Sequence, residues 1–183
     1  MSEVYIVVGL SGVGKSSVIE YALSKKPEVV RVNFGDAVLD EAMKMNLVKS
    51  RDELRLLDAE VQRDLQLRAA RRIGNMEGKI VVDTHMTIPG PDGYLPGLPM
   101  DVLQELKPKK IIIIWAKPHE VLKRRLLDKT RTRVDEDMDE IGEHMDFDRA
   151  ASMAIAVHLG IPVKPIENDI VERAGQELAE ALD

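Results

Sequence analysis

The chain has 183 residues, 44% of them apolar and 32% charged, which suits one soluble globular domain with a substantial core. It has no cysteine, so disulfides and thiolate zinc sites are excluded, and a net charge of −6 with only 3% aromatics argues against nucleic acid as a partner. No apolar run approaches the roughly 20 residues of a membrane span, and the first residues read as a strand with no leader-like segment, so a cytoplasmic protein without membrane contact is expected.

Residues 4–8 read as the first strand, and it runs into Gly9-Leu10-Ser11-Gly12-Val13-Gly14-Lys15-Ser16. This matches G-x-x-x-x-G-K-[ST], the phosphate-binding loop. Its glycines let the backbone curl until the N–H groups converge on phosphate oxygens. Lys15 is placed to reach the β- and γ-phosphates, and Ser16 offers a hydroxyl to Mg²⁺. A helix over 15–24 points its positive end at the same anion. A second strand over 29–32 leads to Asn33-Phe34-Gly35-Asp36 and a helix over 36–45. There Gly35 permits close backbone approach, and Asp36 suits the N-cap position. Leu54, Leu57, Val61 and Leu65 recur at helical spacing, which predicts one amphipathic helix over 51–75. Arg51 and Arg55 lie a turn apart on it. They either face one phosphate dianion together or are neutralised by Asp52, Glu53 and Asp58 on a solvated face.

The strand over 80–83 ends in Asp83, beside the phosphate loop. An acid there binds Mg²⁺ directly or through water, or else caps the next turn. His85, two residues on, is either a contact for substrate phosphate or base, or a structural histidine. The four histidines show no metal-ligand spacing. Residues 89–99 are dense in glycine and proline and read as a long loop, on the sheet edge where ligands of open α/β sheets bind. After a helix over 100–106, residues 111–115 are apolar throughout, as in a parallel strand covered on both faces, with Trp115 in the core. A helix over 118–127 begins with Pro118 and carries Arg124 and Arg125.

Residues 128–147 form a polar excursion. Arg131 and Arg133 head it on one side of an extended chain, suited to charge on a transferring phosphoryl group, and Arg149 follows. The acidic run 135–140 reads as solvated surface. A helix over 147–159, a strand over 163–166 and a helix over 170–182 complete the chain. In the connection before the last helix, Asn168 either borders an adenine or caps a turn. The β/α alternation predicts an α/β fold, a three-layer α/β/α sandwich around a parallel sheet.

Taken together, Gly9–Ser16, Asn33-Phe34-Gly35-Asp36, Ser50-Arg51-Asp52-Glu53-Leu54-Arg55, Asp83-Thr84-His85, Gly93-Tyr94-Leu95-Pro96-Gly97-Leu98-Pro99 and Asp128-Lys129-Thr130-Arg131-Thr132-Arg133 resemble the archaeal adenylate kinases, a branch of the P-loop nucleoside monophosphate kinases. The resemblance runs nearly the whole length. It implies a single domain over 1–183 of the P-loop NTPase type, with a five-stranded parallel sheet, an AMP-binding arm near 35–75 and a short lid near 128–145. It implies ATP + AMP ⇌ 2 ADP with Mg²⁺ carried as Mg·ATP, and a homotrimer. Catalysis would fall to Lys15, Arg125, Arg131 and Arg133. ATP would meet Gly9, Leu10, Ser11, Gly12, Val13, Gly14, Lys15, Ser16, Ser17 and Asn168. AMP would meet Gly35, Asp36, Arg51, Arg55, His85, Gly97, Leu98 and Arg149, and the metal Ser16 and Asp83. Bacterial and eukaryotic adenylate kinases have an arginine soon after the aspartate matching Asp36; here Ala37-Val38-Leu39 follow, which leaves the AMP phosphate to Arg51 or Arg55. The lid region also lacks the cysteines that bind zinc in some bacterial members. A kinase for another acceptor, a nucleotide switch and a protein that only binds nucleotide are the competing readings. A GTPase switch would usually carry N-K-x-D, which is absent.

Overall fold

The computed structural model describes residues 2–128 and 137–183. The apolar strands assemble into one five-stranded parallel sheet in the order β2-β3-β1-β6-β7. These are β1 (Ser2–Val8), β2 (Val30–Asn33), β3 (Gly78–Asp83), β6 (Pro108–Trp115) and β7 (Val163–Glu167). Parallel neighbours cannot be joined by a tight turn, so helices make the crossovers and cover both faces. Successive side chains point to opposite faces, and in β1, β3 and β6 both faces are apolar. Val4, Ile6, Val8, Ile80, Val82, Ile111 and Ile113 enter one buried cluster; Tyr5, Val7, Val81, Ile112 and Ile114 enter the other. The first is closed by α2 (Phe34–Lys44), α4 (Ala59–Gly74), α5 (Met100–Leu106) and the later turns of α7 (Met138–Leu159). The second lies under α1 (Lys15–Lys25) and α8 (Val171–Ala181), with α6 (Pro118–Leu127) at its edge. The expected three-layer sandwich with a five-stranded parallel sheet is the observed architecture, and among the described residues no helix is long and apolar enough to cross a membrane.

Four local features differ from the sequence reading, each for a physical reason. The helix expected over 51–75 is two: α3 (Arg51–Leu54) and α4, which starts after Asp58 in an extended conformation (ψ 146°). The Gln62 amide donates to the Leu57 carbonyl at 2.7 Å, so a side chain stabilises the break. Leu54, Leu57 and Val61 still pack on the core across it. The apolar spacing thus records a buried face without fixing an unbroken backbone. The loop expected over 89–99 contains an antiparallel ribbon, β4 (Thr87–Gly90) and β5 (Gly93–Pro96), turning through Pro91 and Asp92. Gly93 takes a φ of +115° there. Both strands are edges, where the missing proline donors cost little.

The last long helix begins at Met138 instead of 147. Asp137 accepts from the amides of Asp139 and Glu140, and the Glu140 side chain accepts from the Asp137 amide, a complete capping box. Part of the acidic run is therefore a helix start, although its described side chains are exposed. Finally, Asn33 caps α2 by accepting from the Asp36 amide at 3.0 Å, which moves Asp36 from the expected cap into the first turn.

Helices α1 and α8 meet at a contact that admits no side chain. A Cβ on Gly175 would lie 2.7 Å from Tyr21 Cβ and 2.5 Å from its ring. Helix propensity alone would favour alanine by about 1 kcal/mol, but overpacking a tight core contact costs roughly 1–3 kcal/mol. Gly175→Ala is expected to lower stability, and urea denaturation of the two proteins checks the sign.

Candidate functional site

The phosphate loop joins β1 to α1 at the carboxyl edge of the sheet. Its curvature depends on close approach: a Cβ on Gly9 would lie 2.5 Å from the Ile114 carbonyl oxygen of the neighbouring strand. Gly14, the N-cap of α1, has a φ of +83°, and a Cβ there would meet the Asn168 amide at 2.4 Å. The loop carbonyls are tied from outside. Arg124 donates to Val13 O at 2.9 Å, Asn168 Nδ2 to Val13 O at 2.7 Å, and Arg125 Nε to Ser11 O at 2.8 Å. With the carbonyls turned onto these donors, the N–H side of the loop is left for an anion. Asn168 is buried, and its Oδ1 finds no donor among the described residues.

Asp83 sits beside the loop, only 3% exposed. Lys15 Nζ lies 2.7 Å from one carboxylate oxygen and also donates to the Thr84 carbonyl. Arg31 Nη2 donates to the other oxygen at 2.6 Å and to Ser16 Oγ at 3.2 Å. Burial works to raise the Asp83 carboxyl, but the charges and hydrogen bonds of Lys15 and Arg31 outweigh it and hold the group below the usual carboxylate range. Burial pushes the Lys15 ammonium down, and the facing Asp83 charge offsets part of that. His85 is exposed at the cleft, and desolvation by the protein beside it, joined by the Lys15 charge, holds its imidazole below the usual histidine range.

A cleft of about 290 Å³ adjoins Asp83. Phe34, Val38, Leu54 and Ile88 give it apolar walls, while Arg51, Arg55, His85, Gln62 and Gln66 bring polar groups to it. Arg51 pairs with Asp36, and among the described residues Arg55 has only a loose partner in Asp52 at 3.9 Å. Gly97 lines the cleft and packs so tightly that a Cβ would lie 2.1 Å from the His85 carbonyl oxygen.

The structure therefore gathers Gly35, Arg51, Arg55, His85, Gly97 and Asp83 at one cleft, next to the phosphate loop. Asp36 touches it through Arg51. Leu98 instead packs in the core at 1% exposure. The Arg149 guanidinium lies 5.1 Å above the Trp115 ring and does not line the cleft. Trp115 itself is half-buried, not fully in the core. Arg131 and Arg133 lie outside the described residues. Sequence reasoning missed Arg31, Gln62 and Gln66. The two glutamines, four apart on one helix, were a usable signal; a single arginine in an edge strand was not.

Comparison with known proteins fits this geometry. The family model described as AAA domain matches residues 8–142. The chain is similar to the adenylate kinase of Pyrococcus abyssi, 46% identical over all of this chain and 96% of that protein. It is also similar to that of Methanothermobacter thermautotrophicus, 41% identical over 99% of this chain and 100% of that one. Among solved structures it shares its fold with a shikimate kinase from Acinetobacter baumannii in complex with shikimate (TM-score 0.59, 11% identity, 100% of this chain and 93% of that one). A gluconokinase from Sinorhizobium meliloti is also similar (TM-score 0.52, 14% identity, 98% and 95% covered).

Because the Asp83 pKa is depressed on folding, its stabilising contribution is complete above the unfolded value of about 3.9. It is lost as pH falls through the lower folded value. Asp83→Asn is expected to be less stable than the wild type at pH 7, with the gap narrowing below about pH 4. Denaturant titrations at pH 7 and pH 3 would read this difference.

Proposed function

The chain belongs to the adenylate kinases, and we propose that its cleft joins ATP and AMP across Asp83 and transfers the terminal phosphoryl group from one to the other, giving two ADP. The observation that supports this division is the placement of a phosphate loop and an arginine-lined cleft on either side of one buried carboxylate. Lys15 exchanges Asp83 for the β- and γ-phosphates, where the loop N–H groups also bind. Arg51 and Arg55 take the AMP phosphate, Arg51 leaving Asp36 to do so. Leu54, Val38 and Ile88 hold the base, and Gln62 and Gln66 offer it amide hydrogen bonds. Gly35 and Gly97 bring backbone close to the acceptor, and His85 serves there as a hydrogen-bonding group. Arg125 links the donor loop to α6. The lid expected over 128–145 overlaps the first turns of α7, where Ile141 and Met145 are buried, so closing over the reacting phosphates and excluding water would fall to the part before α7, with Arg131 and Arg133, while 35–75 forms the acceptor arm.

Ser16 and Asp83 suit a hard divalent cation, because a cationic nitrogen of Arg31 already lies within 3.2 Å of an oxygen from each. Bound with ATP, Mg²⁺ would neutralise phosphate charge there. The chain's own work is positioning: two nucleotides held in line need no covalent enzyme intermediate. A cytoplasmic homotrimer is part of the same reading, supported by the likeness to the archaeal branch, and light scattering gives the assembly state.

Phosphate transfer from Mg·ATP to AMP, CMP, UMP and GMP, with a no-acceptor control, tests the reading. ADP formation with AMP is expected; hydrolysis without acceptor would overturn the transferase assignment. Lys15→Met should lower kcat by on the order of 10²-fold or more while remaining folded, since Arg31 still compensates Asp83. Arg51→Ala should raise the KM for AMP roughly tenfold, by loss of a charge-assisted contact, with a smaller change for ATP.

A further inference from the structure

Arg31 belongs to neither the phosphate loop nor the acceptor cleft. It stands in the edge strand β2 and faces the same side of the sheet as α1. Its Nη2 donates to Asp83 Oδ2 at 2.6 Å and to Ser16 Oγ at 3.2 Å, and its Nε reaches the same carboxylate oxygen at 3.2 Å. One guanidinium nitrogen thus lies between the hydroxyl and the carboxylate assigned above to the divalent cation. A magnesium ion needs its oxygens at about 2.1 Å and tolerates little distortion. An ion seated between these two oxygens would take the place of the nitrogen now in hydrogen-bond contact with both, and the two positive charges repel. Arg31 has a second carboxylate within reach: its Nη1 is 3.7 Å from Glu20 Oε1, on the exposed face of α1. The Glu20 side chain is 71% exposed and free to follow it.

We propose that Arg31 is a displaceable counter-ion that occupies the metal position in the nucleotide-free protein and moves to Glu20 when the metal–nucleotide complex enters. The inference rests on the metal position assigned to Ser16 and Asp83. In the free protein Lys15 and Arg31 share the Asp83 carboxylate, one on each oxygen. When phosphates draw Lys15 away, Arg31 keeps the buried carboxylate compensated until the metal replaces it. Metal-free ATP leaves the Arg31–Asp83 contact in place, whereas Mg·ATP must break it. The advantage of Mg·ATP over ATP is therefore reduced by the strength of that contact.

Calorimetric titration with ATP in EDTA and with ATP in saturating Mg²⁺ gives the ratio of the two affinities, and the intrinsic fluorescence of the single Trp115 gives an independent readout. Arg31→Met is expected to increase the ratio by on the order of tenfold, equivalent to about 1.4 kcal/mol and the scale of a charge-assisted hydrogen bond. Glu20→Gln, which removes the alternative seat, is expected to decrease it. Arg31→Lys keeps the charge and should fall between wild type and Arg31→Met; thermal melts confirm that each variant is folded. An unchanged ratio in Arg31→Met overturns the proposal. So does an equal loss of affinity for ATP with and without metal, which would make Arg31 a phosphate ligand. Wild-type protein that binds ATP equally in EDTA and Mg²⁺ would instead remove the metal position itself, a failure visible before any variant is compared.

Discussion

A buried carboxylate must be compensated or protonated, and Asp83 meets that requirement by drawing in two cations from different parts of the chain. Lys15 comes from the start of α1 and Arg31 from the edge strand, and each holds one carboxylate oxygen. Pairs of this kind contribute little net stability once desolvation is counted, but losing one partner is costly. Their effect is positional. They fix the P-loop lysine, the Ser16 hydroxyl and the edge strand around one point at the end of β3. The nucleotide-free cleft thus keeps its positive charge against its own carboxylate, and incoming phosphates compete for it.

The phosphate loop is held in shape from outside by groups distant in sequence. Arg124 and Arg125 project from α6, and Asn168 from the turn after β7, onto carbonyls of Ser11 and Val13. Arg124 also donates to the Asn168 carbonyl, so helix, turn and loop form one hydrogen-bonded unit. Donors fixed before substrate arrives need no reorganisation during reaction, which is the basis of electrostatic preorganisation. The same unit sits at the end of α6, immediately before the segment that carries Arg131 and Arg133.

The acceptor side is built differently. Its guanidinium groups are exposed and lightly held: the Arg51 side chain is 47% and the Arg55 side chain 75% accessible. Exposed pairs of this kind are worth little, so a phosphate dianion can replace their partners at low cost. Around them Phe34, Val38, Leu54 and Ile88 form a mostly apolar cleft with a few convergent polar groups, the composition of a small-molecule site. Donor and acceptor halves therefore differ in rigidity, one prebuilt and one adaptable.

The local pattern of residues was enough to define the layers, the five parallel strands and the phosphate loop. Val and Ile at successive positions of β1, β3 and β6 leave both faces apolar, and only a sheet between helix layers buries both. The glycine, lysine and serine spacing of the loop is likewise a short-range requirement. The paired arginines at 51 and 55 could be read as one phosphate-facing set, because a helical turn separates them. Tertiary structure decided what depends on distant partners. Ala59 starts a new helix because Gln62 stabilises the break before it, residues 87–96 pair as a ribbon despite their prolines, and Asn33 rather than Asp36 caps α2. It also decided that Leu98 is core, that Arg149 lies over Trp115, and that Arg31 meets Ser16 and Asp83, 15 and 52 residues away in sequence. A motif records which chemistry a backbone turn needs; which cation neutralises a buried carboxylate depends on the packing of elements that only the folded chain brings together.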